Sequence, residues 1–232
     1  MIITIDGPIA TGKSTIAKTL AEEIGYIYFD TGAMYRCLTY AYLKEKVNLD
    51  QREELMAFLD RFQFDMKIRH RERFYYVGDE DVTDKIRGAE VTEAVSKVSA
   101  NPEVREKLVN IQRTLAVGVN AVFEGRDMGT VVFPEARIKV YLVGDPETRA
   151  RRRYEELRKK YPKDSEGLTL QKVLEDINER DRQDSTRAIS PLRQPEGACV
   201  IDTSTLTIDE VVLKILEYKD SLRTHIPADA GQ

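Results

Sequence analysis

The sequence predicts an α/β protein with a parallel central sheet covered by helices on both faces. Three observations predict it. Strand-like apolar runs alternate with segments of helical periodicity along most of the chain. Several of these runs, such as Ile138 to Val143, are nearly all apolar, as strands buried on both faces are. The first run passes through a glycine-bounded loop straight into a helix.

Ile2-Ile3-Thr4-Ile5 reads as the first strand, and residues 13–24 repeat their apolar positions at helical spacing. Between them lies Gly7-Pro8-Ile9-Ala10-Thr11-Gly12-Lys13-Ser14, an unbroken G-x-x-x-x-G-K-S, followed by Thr15. The N–H groups of such a loop can converge on an anion, and the helix behind it adds orphan donors and a positive dipole end. Lys13 is placed to reach the β/γ-phosphates and Ser14 to hold Mg²⁺. Gly7 through Thr15 is therefore expected to bind a nucleoside triphosphate. Further strands are expected at Tyr26–Phe29, Ala121–Phe123, Ile138–Val143 and Cys199–Ile201, with helices near 32–45, 102–116, 146–160, 170–186 and 207–223. Residues 62–87 break the alternation and read as short antiparallel strands joined by polar turns. The tract Tyr161–Gly167 parts two charged helices as a mobile lid would, and the tail after Thr224 reads as disordered.

Composition narrows the function classes. With 36 basic against 40 acidic side chains and a net charge of −4, no global field attracts nucleic acid or anionic lipid. No apolar run approaches the ~20 residues that a membrane helix requires, and Asp6 with the glycine loop interrupts any signal-peptide pattern. Cys37 and Cys199 stand far apart and read as small hydrophobes; two histidines, His70 and His225, are too few for a zinc site or a triad. A reducing cytoplasm and a monomer acting on small molecules are expected.

The loop alone leaves the phosphate acceptor open. The N-K-x-D that reads guanine in GTPases is absent, and the chain is short for an ATP-driven motor. Arginines are abundant where strands end. Asp30-Thr31-Gly32-Ala33-Met34-Tyr35-Arg36 follows the second strand, with Thr31 suited to cap a helix, and Glu124-Gly125-Arg126-Asp127-Met128-Gly129-Thr130 leaves the carboxyl end of the next. Arg180, Asp184 and Arg187 share one helix face by their spacing, as do Arg149, Arg152 and Arg153. Taken singly, each trio fits a solvated face held by salt bridges. Together they fit a cleft for two phosphorylated substrates, because phosphoryl transfer is mostly positioning and charge stabilisation. An acceptor phosphate needs no general base, since its oxygen is nucleophilic once its charge is offset.

At these residues the chain resembles the bacterial cytidylate kinases over almost its full length, from Ile5-Asp6-Gly7-Pro8 to Val200-Ile201-Asp202-Thr203-Ser204-Thr205-Leu206-Thr207. Gly125–Pro134 and Glu179–Ala188 carry the resemblance with Asp30–Arg36, and the antiparallel insert agrees with it. It implies a single P-loop kinase domain over 1–232, three-layered αβα. The core would take in about 1–36, 99–148 and 170–225, an NMP-binding region with the insert about 37–98, and a helical lid about 149–169. The implied reaction moves the γ-phosphoryl of ATP to CMP or dCMP with Mg²⁺, and lid and NMP-binding region would close together and exclude water. By resemblance Ser96, Arg105 and Asp127 read the cytosine, and Thr31 and Tyr35 belong to the same CMP-binding set. Arg36, Arg126 and Arg187 hold the acceptor phosphate, Arg180 and Asp184 surround the sugar, and Arg149, Arg152 and Arg153 close on the donor phosphates. With Lys13, Arg126, Arg187 and these three lid arginines form the catalytic set. Cytosine offers an amino donor to a carboxylate where uracil would present a carbonyl, leaving two acceptors face to face. A uridylate or broad pyrimidine kinase is the nearest alternative. In another class stands a non-catalytic ATP-binding switch, docking a partner through Phe74, Tyr75 and Tyr76. The loop departs from the family's usual Gly-Pro-Ala-Gly-Ser-Gly-Lys-Ser at Ile9, Ala10 and Thr11. Ala10 stands for a glycine, so that position must avoid φ > 0 or bear strain.

Overall fold

Ile3 to Asp6 of β1 (Ile2–Asp6) are buried on both faces, so the strand's main-chain polar groups must be paired on both edges, and β1 finds its partners far along the chain. In the computed structural model, which describes residues 1–70, 72–162, 165 and 167–222, β1 pairs in parallel with β6 (Ala121–Gly125) and β7 (Ile138–Val143). With β2 (Ile27–Asp30) and β8 (Cys199–Asp202) the sheet runs β2-β6-β1-β7-β8. Ile2 lies opposite Ala121 and Asp6 opposite Gly125, so β1 and β6 end together and release their loops at one edge.

The described residues gather into two compact units, Met1–Phe29 with Gly118 onward, and Asp30–Val117. In the first, α1 (Lys13–Ile24) and α8 (Ile208–Ser221) cover one sheet face through Ile16, Leu20, Val211 and Ile215, which pack with Ile3, Ile5, Val140 and Leu142. The remaining sheet positions stack Phe29 on Phe123 at 4.6 Å, with Phe133 tilted against Phe123. Asp145 caps α6 (Pro146–Lys160) by accepting from the Thr148 N–H, and Thr169 caps α7 (Leu170–Thr186) by accepting from the Lys172 N–H. These two helices pack on each other through Ala150, Val173 and Ile177. Thr207 and Glu210 form a reciprocal capping box at the start of α8.

The second unit, Asp30–Val117, includes the residues 37–98 that the resemblance implies as the NMP-binding region. It holds α2 (Thr31–Glu45), α3 (Arg52–Arg61), α4 (Ala89–Ala100) and α5 (Pro102–Leu115) around Leu38, Leu55, Phe58, Ile86 and Leu108. The insert is an antiparallel sheet of β3 (Phe64–Arg69), β4 (Glu72–Val77) and β5 (Glu80–Asp81). Tyr75 is 4% exposed and belongs to the unit's core, whereas Phe74 and Tyr76 point the other way beneath Arg69 and Lys67. That alternation is the ordinary period of a half-buried strand.

Three local readings change. Asp30, not Thr31, caps α2, accepting from the Ala33 N–H at 2.9 Å, and Thr31 is the first helical residue. Helices α3 and α4 were not among the helices expected. The chain after β6 turns through a π-helical segment, Met128–Val132, to which the sequence reading assigned no element. Lys163, Asp164 and Glu166 of the expected lid tract lie outside the described residues, as do His225 and the tail after Thr224.

Candidate active site

The phosphate loop is shaped by sterics at both of its glycines. A Cβ on Gly7 would stand 2.3 Å from the Leu142 carbonyl oxygen, so the loop leaves β1 flush against β7. Gly12 caps α1 at φ +84°. Ala10 sits at φ +61°, in the left-handed region, and so takes the strained alternative that its replacement of a glycine left open. Thr11 donates its hydroxyl to the Pro8 carbonyl at 3.1 Å, and Lys13 folds over the loop to the same carbonyl at 2.5 Å.

Lys13 is only 6% exposed. Burial, then the neighbouring charge of Arg126, pulls its pKa down from 10.5 to about 7, against Glu124, Asp184 and Asp181. The lysine therefore stands in the same electrostatic field as the arginine that follows β6. Ser14 and Thr15 are exposed on the first turn of α1. Among the described residues no group of three or more His, Cys, Asp or Glu side chains could hold a metal. The exposed Ser14 hydroxyl is the group of this turn that could join a magnesium ion carried on nucleotide phosphates.

Beyond the loop, Arg126 donates through Nε to Asp184 Oδ2 at 2.8 Å. Burial pushes the Asp184 acid up, but Arg126, Arg180 and Arg187 outweigh it and hold its pKa below the usual carboxylate value. Arg187 Nη1 lies 3.8 Å from Asp184, and its Nη2 lies 3.8 Å from Asp127, which is 2% exposed. The structure thus gathers Arg126, Asp127, Arg180, Asp184 and Arg187 into one cluster in the field of Lys13. Asp6, fully buried at the end of β1, accepts the N–H groups of Met128 and Gly129 at 2.9 and 2.7 Å and so fixes the turn that carries Asp127. Burial is the main reason that its pKa rises from 3.8 to about 7.

The three arginines of α6 part company. Arg149 is 5% exposed and donates to the Gly144 and Ile9 carbonyls and to Asp181. Arg152 donates to the Thr203 and Ser204 carbonyls, and Arg153 to Glu156. In the second unit, the Arg105 guanidinium lies 5.2 Å from the Tyr35 ring centroid and donates to the Ser99 carbonyl. Ser99 in turn donates to the Ser96 carbonyl, which brings Tyr35, Ser96 and Arg105 into one neighbourhood. Arg36 donates to the Ile86 carbonyl and Thr92 Oγ1, and Thr31 is buried. Sequence reasoning missed Asp6, Thr92 and Asp181. For Asp181 a signal was present, because Val173, Ile177 and Asp181 recur every four residues on the buried side of α7.

Residues 3–221 match the family model for cytidylate kinase. The chain belongs to the cytidylate kinase family. It is 63% identical to the cytidylate kinase of Protochlamydia amoebophila over 98% of this chain and 100% of that one. It is 45% identical to that of Halalkalibacterium halodurans over 94% and 96%. An uncharacterized protein from Eubacterium ventriosum of solved structure superposes with a TM-score of 0.51 at 16% identity, over 95% of this chain and 98% of that one, a likeness of fold.

Proposed function

We propose that this chain transfers the γ-phosphoryl group of ATP to CMP or dCMP, forming CDP or dCDP and ADP. The observation that carries the reading is Asp127, a buried carboxylate beside Arg187, in the same unit as the phosphate loop and Lys13. Lys13 and the loop N–H groups hold the donor, Arg126 and Arg187 offset the charge of acceptor and moving group, and Asp127 accepts from the cytosine amine. Positive charge fixed in a buried site stabilises the developing charge without reorganisation. Ser14 would hold Mg²⁺, which when bound lowers the phosphate charge. The roles that the resemblance gives to Thr31, Tyr35, Arg36, Ser96, Arg105, Arg180, Arg152 and Arg153 are part of the same proposal. So is a cytoplasmic monomer without nucleic-acid partners; among the described residues no helix is long and apolar enough to cross a membrane.

ADP release measured with CMP, dCMP, UMP, AMP and GMP, with and without Mg²⁺, tests the reading. CMP and dCMP are expected to support turnover only when Mg²⁺ is present. Equal rates with UMP would shift the assignment to a broad pyrimidine kinase, and ATP binding without acceptor-stimulated turnover would replace it with a binding switch.

A further inference from the structure

Both main-chain polar groups of Ile9 are held by one ion pair. The Ile9 N–H donates to Asp181 Oδ1 at 3.0 Å, and its carbonyl accepts from Arg149 Nη1 at 3.0 Å. The same Nη1 donates to Asp181 Oδ2 at 2.6 Å, while Arg149 Nε is anchored on the Gly144 carbonyl at 2.9 Å. The Arg149 and Asp181 side chains are 6% and 18% exposed, so these charge-assisted bonds act with little solvent screening. The next residue is Ala10 at φ +61°. Ile9 and Ala10 also pack against the α6–α7 core of Ala150, Val173 and Ile177.

A carboxylate is an odd neighbour for a loop that must receive phosphates. Its charge opposes the ligand unless something offsets it, and Arg149 does so. We propose that Asp181 is a positioning residue for donor binding: with Arg149 it clamps the Ile9 peptide and thereby holds Ala10 in the left-handed conformation that the loop needs. This deepens the proposed function and rests on it, since the ligand concerned is the ATP of that reading. A glycine at position 10 would hold this turn without a clamp, because it reaches positive φ freely. An alanine there relaxes to negative φ once the Ile9 peptide is released.

The test is ATP affinity by titration calorimetry without acceptor, on the wild type, Asp181→Ala, Asp181→Asn, and each variant combined with Ala10→Gly. Thermal unfolding of each protein checks the fold. Asp181→Ala is expected to weaken ATP binding about tenfold or more, and steady-state KM for ATP to rise likewise while KM for CMP stays within about twofold. Asp181→Asn, which keeps an acceptor for the Ile9 N–H but not the charge, is expected to do less in the same direction. Ala10→Gly is expected to restore much of the loss, as it would not if Asp181 merely braced α6 on α7. Unchanged ATP affinity in Asp181→Ala, or a loss that glycine fails to relieve, overturns the proposal. Should Asp181→Ala not fold, the Asp181→Asn pair decides by the same criteria. Absence of ATP binding by the wild type overturns the functional reading itself, a different result.

Discussion

Arg126 and Asp184 are joined by a 2.8 Å hydrogen bond between side chains 20% and 13% exposed, one after β6 and the other on the last turn of α7. The bond makes the strand end and the helix one rigid support. Asp184→Ala removes the carboxylate hydrogen-bonded to the Arg126 guanidinium, leaving the more distant charges of Glu124 and Asp181, and breaking such a buried pair costs about 3–5 kcal/mol. Chemical denaturation is expected to show a loss of that size. If Asp184 contacts the acceptor sugar, kcat/KM for CMP and dCMP will fall by different factors; equal factors would confine the residue to holding Arg126.

On the proposed reading Lys13 serves the reaction more than the fold. Its hydrogen bonds reach Pro8 and Thr11, both within the loop, and burial with the charge of Arg126 already holds its pKa near 7. Lys13→Ala is expected to lower kcat by about a thousandfold or more. Its melting temperature should equal or exceed that of the wild type. A large drop in melting temperature would show that the lysine organises the loop.

For Asp127 the expected signature is selectivity. A charged hydrogen bond is worth about 2 kcal/mol, so Asp127→Ala should raise KM for CMP roughly 30-fold while KM for ATP moves little. Equal losses for both substrates would remove the base-reading role.

Asp6 gives a pH dependence of definite sign. Its pKa rises from 3.8 to about 7, principally through burial and further through the charge of Asp127, so the folded protein keeps a proton that the unfolded chain releases above pH 4. The stabilisation is complete below about pH 3.8 and is lost as pH rises through about 7. Each pH unit in that window is worth up to about 1.4 kcal/mol. Asp6→Asn cannot titrate, and its stability measured by urea unfolding should fall less steeply from pH 4.5 to 7 than the wild type's. Parallel curves would mean that Asp6 is ionised across that range.

The loop was legible because its chemistry is local: two glycines, a lysine and a hydroxyl at fixed spacing between a strand and a helix. The sheet strands were legible for the same reason, each being a short apolar run. Helix α4 was not, since Val91, Val95 and Val98 are β-branched and weak helix formers, and it is the packing of Val95 and Val98 in the unit's core that helps to secure it. The cap of α2 was misread because Asp30 and Thr31 are both good caps, and the choice depends on where the strand ends. Arg149 was readable as a cation but not as a buried one, because its partners Gly144, Ile9 and Asp181 come from three separate parts of the chain. The π-helical turn at Met128–Val132 has no local signal at all; it is held by a carboxylate from β1.

The strand order also imposes a timetable on biosynthesis. Of the five strands of this sheet the earliest to be synthesised is the middle one, yet its neighbours β6 and β7 are synthesised only after the whole of Asp30–Val117. That intervening stretch is continuous and carries its own apolar core, so it can condense while the amino-terminal strand still waits. Ile2–Asp6 therefore stays unpaired until Ala121–Val143 has been made, and pairing across so long a stretch of chain is intrinsically slow to close.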